Sequence, residues 1–208
     1  PSGQWRGKIY CSLRRAQSAE DPITLVSERF KDHWGYRLDV PNPVETTRFV
    51  RSIVQALLLE EANRKAGERS AEIPVWLAEG LTGQVLAGHG REVILSPPRL
   101  AVNGLTVNPV IVNVLRTNPL ALARQALGTN PPLTLEEISW PKDGQLDGPE
   151  AGIYRASAQL FVGELLRVPD GRASLHKLLE ALPEFYNWQL AFLRAFQPHF
   201  ERQLDVEK

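Results

Sequence analysis

The sequence predicts an α+β fold in which a small N-terminal antiparallel sheet packs on a mainly helical body. Three observations predict it. The first forty residues alternate apolar and polar with the period of a half-buried strand. From Asn42 onward the apolar spacing changes to that of helices. Strands come first and helices after, the order expected when the two are segregated.

In residues 5–13, Trp5, Gly7, Ile9, Cys11 and Leu13 alternate with Arg6, Lys8, Tyr10 and Ser12. This pattern predicts a strand with Cys11 on its buried side. Two further strand-like runs, at 23–30 and 36–40, flank Lys31-Asp32-His33-Trp34-Gly35, which reads as a hairpin turn. Asn42-Pro43-Val44-Glu45 has the composition of a helix start, with Asn42 as the cap. Phe49, Val50, Ile53, Val54, Leu57 and Leu58 then recur at helical spacing, and the helix should end near Gly67. On it, Glu60-Glu61 and Arg64-Lys65 form i,i+4 partners expected on a solvated face. A second helix starts at Ile73-Pro74, carries Trp76, Leu77, Leu81, Val85 and Leu86, and stops at Gly88.

Residues 89–118 hold three prolines and several Gly and Asn. A short strand at 92–95, irregular chain and a helical turn at 110–115 are expected there. Short helices follow at 120–127 and from Thr134, then a polar loop at 142–150. Three helices close the chain at about 151–167, 171–182 and 186–196. The whole reads as one domain over 1–208, with a sheet-rich part at 1–41, a central helix pair at 42–88, an irregular stretch at 89–150 and terminal helices at 151–200.

The 24 Lys and Arg balance the 24 Asp and Glu, which argues against a general binder of nucleic acid or anionic membranes. The single cysteine excludes an internal disulfide and a cysteine zinc cluster. No apolar run approaches the roughly 20 residues that span a bilayer. The absence of methionine and the start at Pro1 suggest a processed or trimmed piece of a longer protein. The five tryptophans are spread along the chain and read as core or cleft wall.

One segment carries chemical information. Pro74-Val75-Trp76-Leu77-Ala78-Glu79-Gly80-Leu81 resembles the second helix of the gluzincin zinc metallopeptidases, whose Glu is the third zinc ligand. The tail is similar too, through Leu133-Thr134-Leu135-Glu136-Glu137, Tyr154-Arg155-Ala156-Ser157-Ala158 and Ala191-Phe192-Leu193-Arg194-Ala195-Phe196. The resemblance spans roughly residues 5–200 and implies a zincin-like fold. In that family an H-E-x-x-H helix precedes the Glu. Its two His, at i and i+4, share one helix face, and its Glu serves as general base. The best register places Arg51-Ser52-Ile53-Val54-Gln55 there; a shift by one residue gives Ser52-Ile53-Val54-Gln55-Ala56, no better as a ligand set. Both histidines and the base are replaced, and only Glu79 survives.

One carboxylate does not hold catalytic zinc, which takes three protein ligands. An arginine at a ligand position adds a fixed positive charge. The resemblance therefore implies a non-catalytic, peptidase-like protein with vestigial metal-site positions Arg51, Ser52, Gln55 and Glu79, no metal and no cofactor. Its cleft, lined by Trp76, Tyr154 and His89, would hold a peptide or protein ligand or serve a structural role. Arg51 should pair with Glu79, with Gln55 or Tyr154 filling the remaining hydrogen bonds. The alternative is a hydrolase with a repurposed site in the same cleft, for instance one assembled from His33, His89 and Glu79. A helical interaction scaffold unrelated to peptidases accounts less well for residues 74–81. The resemblance and the chain start lean towards a secreted or periplasmic, bacterial setting.

Overall fold

The computed structural model describes residues 8–18, 20–89, 100–102, 105–107, 119–142, 144–197, 199–200 and 206; of His89, of residues 100–102 and 105–107, and of Pro119, Leu120 and Leu122, only the backbone is described. The fold is α+β. Strands β1 (Lys8–Arg15), β2 (Thr24–Arg29) and β3 (Trp34–Asn42) precede helices α1 (Thr46–Asn63) and α2 (Val75–His89). A short hairpin, β4 (Leu100–Val102) and β5 (Leu105–Val107), follows. Then come α3 (Pro119–Thr129), α4 (Leu135–Ser139), α5 (Ala151–Arg167), α6 (Gly171–Ala181), a 3-10 turn at Leu182–Glu184, and α7 (Trp188–Ala195). The strand expected at 92–95 and the helical turn expected at 110–115 lie outside the described residues. No helix among the described residues is long and apolar enough to cross a membrane.

The main sheet has the order β1-β3-β2 and is mixed, where an antiparallel sheet was expected. The β2–β3 hairpin is antiparallel, pairing Leu25 with Leu38, whereas β1 runs parallel to β3, pairing Cys11 with Leu38. The cause is the distribution of apolar side chains. Trp34, Tyr36, Leu38 and Val40 of β3 are all buried, so β3 takes the centre, where both neighbours shield it. The hairpin fills one flank of β3, and β1 takes the other.

Cys11 was expected inside and is exposed; Leu13 is exposed as well. Helix α1 packs across the central strand, while β1 is an edge strand whose main contact is β3. Only Ile9 of its apolar set packs against the core. The helix cap also differs from expectation. Asn42 belongs to β3, pairs with Arg15 and accepts a hydrogen bond from Ala16 N, so it is committed to the sheet. Glu45 caps α1 instead, its carboxylate accepting from the Thr47 and Arg48 amides at 2.9 Å each.

Tyr36 fastens the sheet to α1. Its hydroxyl donates to Leu59 O (3.0 Å) and accepts from Asn63 Nδ2 (3.1 Å), while Asn63 Oδ1 accepts from Ala71 N (2.7 Å). Burial pushes the Tyr36 hydroxyl up to about 12. The charged pairs near the end of α1 are not all on a solvated face. Glu60 is buried, Arg64 reaches Glu61 at 2.9 Å, and Lys65 leaves α1 to meet Glu180 of α6 at 2.6 Å.

Helix α2 is apolar nearly all round, as a helix buried among others must be. It lies closest to α5 at Gly80, where an added Cβ would collide with Ala158 O and the Val162 side chain. That close approach is secured by an exchange of amides: Gln84 Nε2 donates to Gln159 O (2.9 Å) and Gln159 Nε2 to Gly83 O (3.3 Å). At the start of α2, Trp76 packs edge-on against Phe161 (4.9 Å between centroids) and against Trp188 (5.4 Å) and Phe192 (6.2 Å).

Candidate functional site

Helices α1 and α2 bring together the positions that the register singled out. Arg51 Nε lies 2.6 Å from Glu79 Oε1, as expected from sequence. The Arg51 Nε–H is not aimed along this contact as a hydrogen bond, so the contact is described as an ion pair. A second guanidinium completes the group: Arg155 Nε of α5 lies 3.7 Å from Glu79 Oε2. The Glu79 side chain is only 8% exposed, against 20% for Arg51 and 40% for Arg155. Burial raises the Glu79 carboxyl above its ordinary value; the charges of Arg51 and then Arg155 pull it back, and Asp147 raises it slightly.

The other candidates fall in different places. Ser52 Oγ donates to Arg48 O (3.0 Å) within its own helix, and Gln55 is exposed. Tyr154 is fully buried, and its hydroxyl donates to Ile138 O (2.9 Å), tying α5 to α4. Burial, and then the negative charge of Glu79, hold that hydroxyl well above its ordinary range. Tyr154 is thus near Glu79 without bonding it, and the expected supporting hydrogen bond from Gln55 or Tyr154 is replaced by Arg155. Trp76, expected on the cleft wall, lies in the aromatic core at 1% exposure. His89 is the last residue of α2, and its side chain lies outside the described residues. His33 stays in the β2–β3 turn, where Nδ1 meets Asp32 at 2.8 Å and its ring stacks on Phe30.

Arg155 is the residue that sequence reasoning missed. It stands inside the quoted Tyr154-Arg155-Ala156-Ser157 segment, but nothing in that spacing says which of these residues turns towards Glu79. Arg51 of α1 meets one carboxylate oxygen of Glu79 and Arg155 of α5 the other.

Beside this group lies a cleft of about 640 Å³. Thr47 at the start of α1, Thr82 and Leu86 of α2, Gln125 of α3, and Arg155 and Gln159 of α5 line it, with Glu79 and Glu45. Its remaining walls are small, formed by Thr129 and by glycine and alanine of α2, α3 and α5. The volume is that of a site for a small molecule or a few residues of peptide.

The four positions that the resemblance singles out do not fit zinc. They offer a guanidinium, a hydroxyl bonded within its helix, an exposed amide and one carboxylate already paired. Among the described residues no group of three His, Cys, Asp or Glu is placed to hold a metal ion. Comparison with family models, curated proteins and solved structures finds no match to this chain.

Proposed function

We propose that the chain is a non-catalytic, gluzincin-like protein whose zinc site has been replaced by an ion pair and whose cleft binds a peptide or protein segment. The observation that carries this reading is the Arg51–Glu79 contact at 2.6 Å. In a gluzincin the metal joins the H-E-x-x-H helix to the helix bearing the third ligand. Here a guanidinium from the first helix joins the carboxylate of the second, at the positions the register assigns. The cleft supports a binding role because its walls are small and its polar side chains offer both donors and acceptors. A repurposed hydrolase finds one point of support, a carboxyl raised by burial in a cleft. Against it, that carboxylate is held between two guanidinium groups rather than left free to act as a base. A secreted or periplasmic location belongs to the same proposal.

The experiment is restoration of the motif. A variant carrying Arg51→His, Ser52→Glu and Gln55→His together is expected to bind one zinc per chain at micromolar concentration or better. Adding Glu79→Gln to it should weaken that binding at least tenfold. Because Gln55 is exposed, water can reach a metal held at that position. A folded triple variant that takes up no zinc would mean that residues 51–55 are not the lost motif.

A further inference from the structure

Strand β1 forms one edge of the main sheet, and among the described residues it pairs with β3 alone. Its register with β3 runs from Lys8 to Arg15 without a bulge. The middle of the strand, Tyr10-Cys11-Ser12-Leu13, carries no charge and no proline, the usual guards of an open edge. Tyr10 is 57% exposed and Leu13 69%, and Cys11 is exposed between them. The ladder tells which backbone groups are open. Ala16 N donates to Asn42 O (3.1 Å), and Asn42 is the register partner of Arg15. Bonding residues alternate along a strand, so Tyr10, Ser12 and Arg14 direct their N–H and C=O groups to β3. Ile9, Cys11 and Leu13 direct theirs away from it.

We propose that a second copy of this chain docks on β1, the two β1 strands pairing antiparallel about a two-fold axis at Cys11 and joining the two three-stranded sheets into one. The strand is complementary to itself in this register. Cys11 faces Cys11, and Ile9 faces Leu13 of the other copy, so the residues with outward N–H and C=O groups meet as hydrogen-bonded pairs. Side chains alternate, so Ile9, Cys11 and Leu13 share the face on which Ile9 packs against the core. Leu13, exposed in one chain, is covered by Ile9 and Cys11 of the other. On the opposite face Tyr10 meets Ser12. Lys8 meets Arg14, a like-charge pair that would oppose docking if Arg14 were bare. Arg14 is held by Asp21 (2.7 Å) and Asp39 (3.3 Å); with Arg48, which donates to Asp21 O, the group counts two cations and two carboxylates. Moving the axis one residue, to Ser12, would set Ile9 against Arg15, so the register at Cys11 is the better match. A two-fold interface needs one patch that fits itself, and β1 supplies it.

The test is sedimentation of the whole chain under reducing conditions, with amide hydrogen exchange read at low and high concentration. The chain is expected to dimerise weakly, as a small interface does, with a dissociation constant on the order of 10–100 μM. The amides of Ile9, Cys11 and Leu13 should exchange at least tenfold more slowly at high concentration, while those of Tyr10 and Ser12 stay protected at both. Leu13→Lys should weaken association at least tenfold. Cys11→Pro should do the same without unfolding the chain, because the amide it removes faces away from β3. Cys11→Ala should leave association intact, and so should Leu190→Lys on the exposed side of α7. A chain that stays monomeric at about 1 mM overturns the proposal, as does a dimer that survives both Leu13→Lys and Cys11→Pro. Protection of the Ile9, Cys11 and Leu13 amides that is independent of concentration would put another segment of the same chain on this edge and overturn it too. A dimer seen only without reductant would be a Cys11 disulfide and would count equally against strand pairing.

Discussion

Arg51→Ala is expected to lower the stability of the fold by about 3 kcal/mol at neutral pH, measured by chemical denaturation. Removing one member of a buried ion pair typically costs about 3–5 kcal/mol, because the other charge is left without compensation. The low end applies here, since Arg155 stays 3.7 Å from Glu79 and solvent reaches Arg51. Arg51→Leu combined with Glu79→Gln should cost far less than the two single changes added, because it removes both the attraction and the desolvated charge.

The pH dependence carries a definite sign. Burial already raises the folded-state carboxyl of Glu79 above its ordinary value of 4.5, and without Arg51 it rises further. Between the ordinary value and the raised one, the unfolded chain releases the proton while the folded chain retains it. Stability therefore falls as pH rises through that window. The Arg51→Ala deficit should be largest near neutral pH and should shrink as pH falls below 4.5, where Glu79 is protonated in both states. A deficit that is small and flat with pH would contradict the pairing.

Trp76→Ala is expected to cost about 4 kcal/mol, in the range for truncating a buried aromatic side chain. Trp76 is 1% exposed and touches Phe161, Trp188 and Phe192, so its loss opens a void where α2, α5 and α7 meet. Trp76→Phe should cost roughly half as much or less, since a smaller ring still fills part of the space. The same denaturation experiment separates a core tryptophan from one on the cleft wall. A wall residue would give a stability loss below about 1 kcal/mol and show its effect on ligand binding instead.

The sequence foretold helices better than sheet pairing, for physical reasons. In α5 the local pattern is self-sufficient: apolar spacing, a polar loop before it and Val168-Pro169 after it set bounds that the structure reproduces. Strand partners are not local. The alternation in β1 says that two faces differ but not which strand lies beside it, nor that α1 would pack across β3 and leave Cys11 exposed. At Asn42, two local signals competed, and the ladder with β1 outweighed the cap. The β4–β5 hairpin was read as irregular chain, although Asn103-Gly104 between its strands is a known hairpin pair.

The site was legible where helix geometry carries the inference and opaque beyond it. The resemblance set residues 51–55 against a metal-binding helix and Glu79 against the third ligand, and the Arg51–Glu79 pair is what that alignment implied. Helical spacing places Gln55 on the same side as Arg51, one turn on, but not its depth; the next turn lies farther out, and Gln55 is exposed. Trp76 was read as core or cleft wall, and its place near Glu79 in sequence did not decide between the two. That spacing left it free to turn into the aromatic core formed by the distant α5 and α7. Arg155 depends on how two helices cross, which no single-helix pattern records.

The central claim is that a guanidinium–carboxylate pair has taken the place of a metal between α1 and α2. The most direct measurement is the zinc content of the purified chain after equilibration with a slight excess of zinc and removal of the free ion, read by elemental mass spectrometry. The account predicts far less than one zinc per chain, unchanged by Glu79→Gln. One zinc per chain, lost on Glu79→Gln, would contradict it.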